Sequence, residues 1–319
     1  MLPKFFEKIP FYINIRNKIY RHYVDFLKHK RPQKYADILF KQAFGYSIDW
    51  QHPRDLNEFI NFLAFKTDTS MWAKLADKFS VREYVKERGC EEILVPLLGH
   101  WNSIDNIDFN LLPKSFVLKC NNGSGDAIVV NDKNEIDIEN VKRSIRNFYA
   151  RRFGLDSAEP HYLKIKPCII AEKNIALPEK SLIDYKIWCF NGKPFCIFTV
   201  SNRDLKKHTA DYNLYSLNWD DLSRKYLSDP YKNDIYVPKP PNFTQMLEYA
   251  QCLSKNFPEV RVDFYNIDGK IFFGEMTFTS LCGRMKYFTP EYLKIMGDQA
   301  SKFFFNTQIE KFPSPMVLK

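Results

Sequence analysis

The sequence predicts an α+β protein built as two lobes. Three observations lead there. Two strand–turn–strand units, Leu182 to Val200 and Arg261 to Thr279, are rich in β-branched and aromatic residues. A shorter unit of the same kind runs from Phe116 to Val130. Stretches with apolar residues at helical spacing lie before, between and after these units. At 319 residues the chain is long enough to fill two lobes and a sizeable core.

The unit near the C-terminal end is the most informative. Arg261-Val262-Asp263-Phe264-Tyr265 and Gly274-Glu275-Met276-Thr277-Phe278-Thr279 flank Asn266-Ile267-Asp268-Gly269-Lys270. An Asp-Gly turn between two apolar runs predicts a hairpin. Asp263 then lies on one strand and Glu275 near the end of its neighbour. Two readings fit. The carboxylates can be solvated groups on one sheet face, or they can share a hard divalent cation. Mg²⁺ takes one or two carboxylates and completes its shell with phosphate oxygens and water. The second reading makes the hairpin the floor of an ATP site.

In the shorter unit, Phe116-Val117-Leu118-Lys119-Cys120 leads into Asn121-Asn122-Gly123-Ser124-Gly125-Asp126 and then Ala127-Ile128-Val129-Val130. Glycines let a turn direct its N–H groups at an anion, and Lys119 supplies a point charge. The same loop also reads as a plain hairpin turn. It is not a P-loop, since no GxxxxGK[ST] occurs and a strand follows it. Pro167 to Ile175 predicts an apolar strand that runs out through Glu172 and Asn174. Such a strand offers the flat slot and backbone edge that an adenine needs. Leu182 to Phe190, Asn191-Gly192 and Lys193 to Val200 form the remaining hairpin, with a turn pair suited to type I′. Lys186 falls in phase with Asp184, Trp188 and Phe190 and opposite Tyr185, Ile187 and Cys189, which leaves it either solvated or aimed at a phosphate. Arg203 follows that strand, and its fork suits phosphate or carboxylate as well as solvent. Arg261 shares a strand face with Asp263. Arg284 follows Cys282-Gly283 beyond the hairpin. Both arginines are candidates to offset a transferring phosphate or a substrate carboxylate.

The order of these parts resembles the TupA-like, teichuronopeptide-biosynthesis branch of the ATP-grasp proteins. The residues that carry the likeness are Leu75 to Val85, Phe116 to Lys119, Gly123-Ser124-Gly125, Asp184-Tyr185-Lys186 with Cys189 to Gly192, Arg261 to Tyr265 and Phe273 to Thr279. It runs from about His52 to Gly297. The resemblance implies an ATP-grasp fold with the nucleotide between two lobes, and ATP and Mg²⁺ as cofactors. Lys119, Gly123, Ser124, Gly125 and Lys186 would then hold phosphates, with Asp184 beside them. Glu172 and Asn174 would meet adenine, and Asp263 and Glu275 would hold the metal. Many ATP-grasp proteins carry asparagine two residues after the metal glutamate. Here the position is Thr277, a weaker candidate ligand. The implied activity is a carboxylate–amine ligase working through an acyl phosphate. Its partners would be a carboxylate-bearing sugar or glycan of the cell envelope and an amine donor. A sugar phosphotransferase and a scaffold with a vestigial site are the alternatives.

Composition sets further bounds. Hydrophobic residues at 45% and charged residues at 27% argue against disorder. No apolar run reaches the length of a membrane span, and no signal-peptide core is visible. Seven scattered cysteines without CxxC argue against disulfides and zinc, and the expected location is cytoplasmic. Residues 1–34 hold nine Lys/Arg and two acids, so this arm carries +7 of the net +9. It also carries Phe5, Phe6, Phe11, Tyr12, Tyr20, Tyr23 and Phe26. Either the arm is a helix packed on the body with a solvated basic face, or it lies on an anionic membrane surface at its inner face. Nucleic acid is a poorer fit, because the remaining residues carry only +2 and no recognition motif is visible.

The resulting organisation is a basic aromatic arm over 1–50, a helical segment over 51–112, a small nucleotide lobe over 113–175 and a large lobe over 176–319. Helices are predicted at Lys34–Phe44, Asn57–Lys66, Lys74–Lys86, Ile138–Ala150 with Asp137 as cap, Asn242–Asn256 and Pro290–Phe304. The Pro- and Tyr-rich stretch Asp229–Pro241 reads as a lid or a crossing loop. His161 sits in a turn and reads as structural or exposed.

Overall fold

Among the described residues every named strand pairs antiparallel with its neighbours, as the hairpin pattern requires. The computed structural model describes residues 10–177, 181–204, 207 and 209–310, the side chains at 10–16, 303 and 305–310 excepted. Helices α1 (Pro10–Lys30), α2 (Pro32–Phe44), α3 (Leu56–Lys66), α4 (Ser70–Ala76) and α5 (Val81–Glu87) come first. Strand β1 (Leu97–Trp101) precedes β2 (Phe116–Cys120) and β3 (Ala127–Val130). Helices α6 (Ile138–Ala150) and α7 (Phe153–Ser157) lead to β4 (Ile169–Lys173). The rest is β5 (Asp184–Phe190), β6 (Lys193–Asp204), β7 (Thr209–Tyr215), α8 (Ser223–Tyr226), α9 (Phe243–Ser254), β8 (Val260–Ile267), β9 (Lys270–Thr277) and α10 (Pro290–Glu310).

The strands make two sheets, ordered β1-β4-β2-β3 and β7-β6-β5-β8-β9. The small sheet is covered by α6. Asp137 caps that helix by accepting from the N–H of Asn140 at 3.1 Å. Val141 and Ile145 then face Phe116, Leu118 and Cys120. The large sheet carries the main core. Trp188, Phe198, Phe264, Phe278 and Phe288 are fully buried there. Helix α3 belongs to the same core: Leu56, Phe59 and Ile60 are buried with residues of β5, β8 and α10. Asn57 ties it down by donating to the carbonyl of Met285 at 3.1 Å. Each such apolar side chain contributes about 1.5–3 kcal/mol through burial.

Two sequence expectations change here. The single helix expected over Lys74–Lys86 is split into α4 and α5. Asp77 breaks it, because its carboxylate accepts from the N–H groups of Phe79 (2.8 Å) and Ser80 (3.2 Å) and so stabilises a turn. The segment over 51–112 also contains a strand: β1 pairs with β4, and the small sheet therefore begins before residue 113. The stretch Asp229–Pro241 is a crossing strap. Asn213 and Trp219 donate to the carbonyls of Ile235 (2.7 Å) and Val237 (3.0 Å) and lace it to the β7 region. His161 is fully buried, not exposed, with the edge of Trp72 and the ring of Tyr162 against it.

Candidate active site

The large sheet aligns its charged residues in two adjacent rungs. One runs Lys186–Asp263–Glu275 across β5, β8 and β9, and the next runs Trp188–Arg261–Thr277. Residues paired across antiparallel strands share a face, as do residues two apart on one strand. The register therefore brings all four charges together. Lys186 reaches Asp263 at 2.5 Å. Arg261 donates two bonds to Asp263, each at 2.7 Å, and lies 3.4 Å from Glu275. The hydroxyl of Thr277 donates to Glu275 and accepts from Arg261, each at 3.0 Å. Gly274 is the extra residue of a bulge beside Asp263, which turns the Glu275 end of β9 relative to the ladder.

Burial decides which carboxylate has capacity left. The Asp263 side chain is 6% exposed, and Glu275 is 37% exposed. Burial alone would raise the pKa of Asp263, but Arg261 and Lys186 outweigh it and hold the carboxyl below its usual range. Burial acts on Arg261 in the opposite sense, and Asp263 more than offsets it, so the guanidinium stays charged. The ring of Trp188 lies under that guanidinium at 5.4 Å. Asp263 is thus already neutralised by two cations, while Glu275 projects toward solvent. One buried and one accessible carboxylate suit Mg²⁺, which takes few protein ligands and fills the rest from phosphate and water.

Asp184 lies two residues before Lys186, and Arg203 from the end of β6 forms an ion pair with it. Tyr265 opposes Asp184. Burial first, then the nearby carboxylates, raise its phenol well above the usual range.

The small sheet holds a second cluster. Lys119 reaches one oxygen of Glu172 at 2.6 Å, and Arg82 reaches the other at 3.1 Å. Lys119, Arg82 and Glu172 form the charged set of the small sheet, as Lys186, Arg261, Asp263 and Glu275 form that of the large one. The Gly123–Gly125 loop is fixed at its base. Asn121 donates to Asp77 at 2.8 Å and to the carbonyl of Lys166 at 3.1 Å. Lys78 donates through its ammonium to the carbonyl of Gly123. Gly123 has no room for a Cβ, which would lie 2.1 Å from a carboxylate oxygen of Asp126. Gly125 takes a positive φ of 74°. Ser124 and Gly125 are exposed at the tip.

Two further expected residues make contacts of their own. The amide of Asn174 donates to Ser115 (3.0 Å) and Asn131 (3.2 Å) and holds strand ends together. Arg284 lies against the carbonyl of Ser157 at 3.4 Å. Next to it, the buried Glu159 accepts from Thr279 and from the thiol of Cys282, and burial raises its pKa.

The sequence profile of the TupA-like ATP-grasp family matches residues 58–301. The chain belongs to that family. As a TupA-like ATP-grasp protein it is an ATP-dependent ligase. Among solved structures it is similar to D-alanine–D-alanine ligase from Bacillus anthracis complexed with ATP, at 16% identity and a TM-score of 0.46, over 77% of this chain and 70% of that one. It is also similar to the D-alanine–D-alanine ligase of Helicobacter pylori, at 14% identity and a TM-score of 0.38, over 82% and 68%. For the L-amino acid ligase of Bacillus licheniformis the identity is 14% and the TM-score 0.42, over 65% of this chain and 43% of that one. No curated protein matches the chain.

Sequence reasoning missed three contributors in this TupA-like chain. Asp77, Lys78 and Arg82 lie in the stretch Leu75–Val85, which carried the likeness without an assigned role. Each now has a partner on the small sheet or its loop: Asn121, Gly123 and Glu172. The signal was the density of charge in an otherwise apolar helical stretch.

Proposed function

We propose that this protein is an Mg²⁺-dependent carboxylate–amine ligase that joins an amino acid or other amine to a uronic-acid-containing envelope glycan or its precursor. The Lys186–Asp263–Glu275 rung carries the reading. It sets a lysine beside a neutralised carboxylate and an accessible one, on a rigid sheet. Glu275, with Asp263 behind it, would hold the metal, which when bound offsets charge on the phosphate oxygens.

Lys186 and Arg261 supply fixed positive charge where negative charge would gather. Lys119 and the loop at 123–125 would hold the phosphates from the small sheet, and the apolar strand around Glu172 would receive the base. Arg203, half exposed beside Asp184, would meet the acceptor carboxylate. That carboxylate would attack the γ-phosphorus of ATP, breaking its bond to the bridging oxygen and releasing ADP. The amine would then displace phosphate from the acyl phosphate and lose a proton, giving an amide. Positioning and electrostatics suffice, and no covalent protein nucleophile is needed. Thr277 positions Glu275 and Arg261, since its hydroxyl already serves both.

The glycan part of the reading rests on the family's tie to teichuronopeptide synthesis. Incubation with ATP, Mg²⁺, uronic-acid oligosaccharides and amino acids tests it, with phosphorus NMR and mass spectrometry of the products. ADP, free phosphate and an amide are expected. A phosphorylated sugar would instead assign phosphotransfer, and ATP left intact with every acceptor would remove the proposal.

A further inference from the structure

Helix α1 rests on the body along a narrow edge. Leu27 is buried and Val24 partly buried against Tyr35, Ala36 and Ala158. Lys28 is fixed by Asp156 at 2.5 Å. A flank about 100° around the helix from that edge is open and apolar. Ile19, Tyr20, Tyr23 and Phe26 are 64, 54, 45 and 52% exposed. At about 100° per residue, Ile19, Tyr23 and Phe26 fall within about 60° of one another. Lys18, Arg21 and Lys30 are exposed on the same helix, and Arg31 and Lys34 are exposed just after it. Lys4 and Lys8 of the basic arm lie outside the described residues.

We propose that this face of α1 docks on an anionic lipid surface. The helix would lie along the interface, with Tyr23 and Phe26 at headgroup depth, Ile19 beside them and the basic side chains over lipid phosphates. Amphipathic helices with a basic flank bind in this way, and aromatic rings favour that depth. No helix among the described residues is long and apolar enough to cross a membrane, so the contact is peripheral. Charge selects the occupant. Residues 1–34 carry +7, so a second copy of this face would meet like charge, whereas an anionic leaflet complements it. Each basic residue near such a leaflet strengthens binding by about fivefold, and salt weakens this.

The test is co-sedimentation of the full chain with phosphatidylcholine vesicles, with and without phosphatidylglycerol, at low and high salt. Binding is expected only with phosphatidylglycerol, and it should fall at high salt. A variant carrying Lys18→Gln, Arg21→Gln, Lys30→Gln and Arg31→Gln should bind about tenfold more weakly or worse. So should a variant carrying Ile19→Ser, Tyr23→Ser and Phe26→Ser. All seven positions are exposed, so the circular dichroism spectrum of each variant is expected to match that of the parent. Equal binding to both vesicle types, no binding at all, or unchanged binding by the charge variant would overturn the proposal. So would a dimer in velocity sedimentation that the serine variant dissolves, or a nucleic-acid oligomer bound as tightly as the vesicles.

Discussion

The two lysines of the candidate site share a setting that Arg203 does not, and that difference is measurable. Lys119 and Lys186 each hold a carboxylate now and would trade it for phosphate oxygens when ATP binds. Arg203 is half exposed and pairs with Asp184. A charged hydrogen bond is worth about 1.5–3 kcal/mol. Lys119→Ala and Lys186→Ala should therefore each weaken ATP binding by about tenfold or more, and Arg203→Ala by less. Calorimetric titration checks the order, and unchanged affinity in both lysine variants would remove the site from these sheets. His161 gives a second residue-scale test. Both ring nitrogens are buried without a partner, and burial lowers its pKa to about 3. The unfolded chain takes up this proton near the ordinary pKa of about 6.5, while the folded chain does not. His161 therefore leaves stability intact above that pH and costs about 1.4 kcal/mol per unit as pH falls from 6.5 toward 3. Glu159 and Glu259 have pKa values raised by burial, so their contribution runs the other way and diminishes as pH rises. The difference between the parent and His161→Phe isolates the histidine. Denaturant midpoints should converge above pH 7 and separate in favour of the variant at pH 5. A constant difference across that range would contradict this assignment.

At the scale of elements, the hairpins were legible because turn chemistry and alternation agree. Asp268-Gly269 and Asn191-Gly192 both take positive φ in the structure, as their turns require. The cross-strand pairing of Asp263 with Glu275 was half legible. The turn implied two facing strands, but the register depends on the bulge at Gly274, which alternation does not reveal. Helix α6 appeared with the expected bounds because Asp137 marks its start. The break between α4 and α5 stayed hidden because Asp77 acts through its own side chain and through a partner at Asn121, forty-four residues away. Strand β1 stayed hidden for a related reason. Leu97-Leu98-Gly99-His100-Trp101 is short, irregular at Gly99, and stabilised by pairing with the distant β4. The ion pairs within the candidate site were not legible either, since they join residues brought together by register. Asp77→Ala should uncouple α4, α5 and the 123–125 loop. It leaves Asn121 short of a buried partner, at a cost of about 1–3 kcal/mol. Faster amide exchange confined to residues 77–85 and 121–126, with ATP affinity reduced, is the expected result. Uniform loss across both sheets would show a general packing defect instead.

On the scale of the whole molecule, the two sheets carry two charged sets, and under the proposed function ATP would bridge them. A ligand that binds only the folded state stabilises it in proportion to the logarithm of its concentration over Kd. Helix α3 packs into the large-sheet core, so the large lobe extends to residues that precede the small sheet. ATP should therefore raise the melting temperature of the full chain, and Mg²⁺ should enlarge the shift. In the proposed site Glu275, backed by Asp263, would couple the nucleotide to a metal. Glu275 is the better residue to change, because it is partly exposed and its loss does not strand a buried charge. The most direct measurement is calorimetric titration of ATP with and without Mg²⁺, on the parent and on Glu275→Gln. Mg²⁺ should strengthen ATP binding to the parent by about tenfold or more and have little effect on Glu275→Gln. An equal response to Mg²⁺ in both proteins would contradict it.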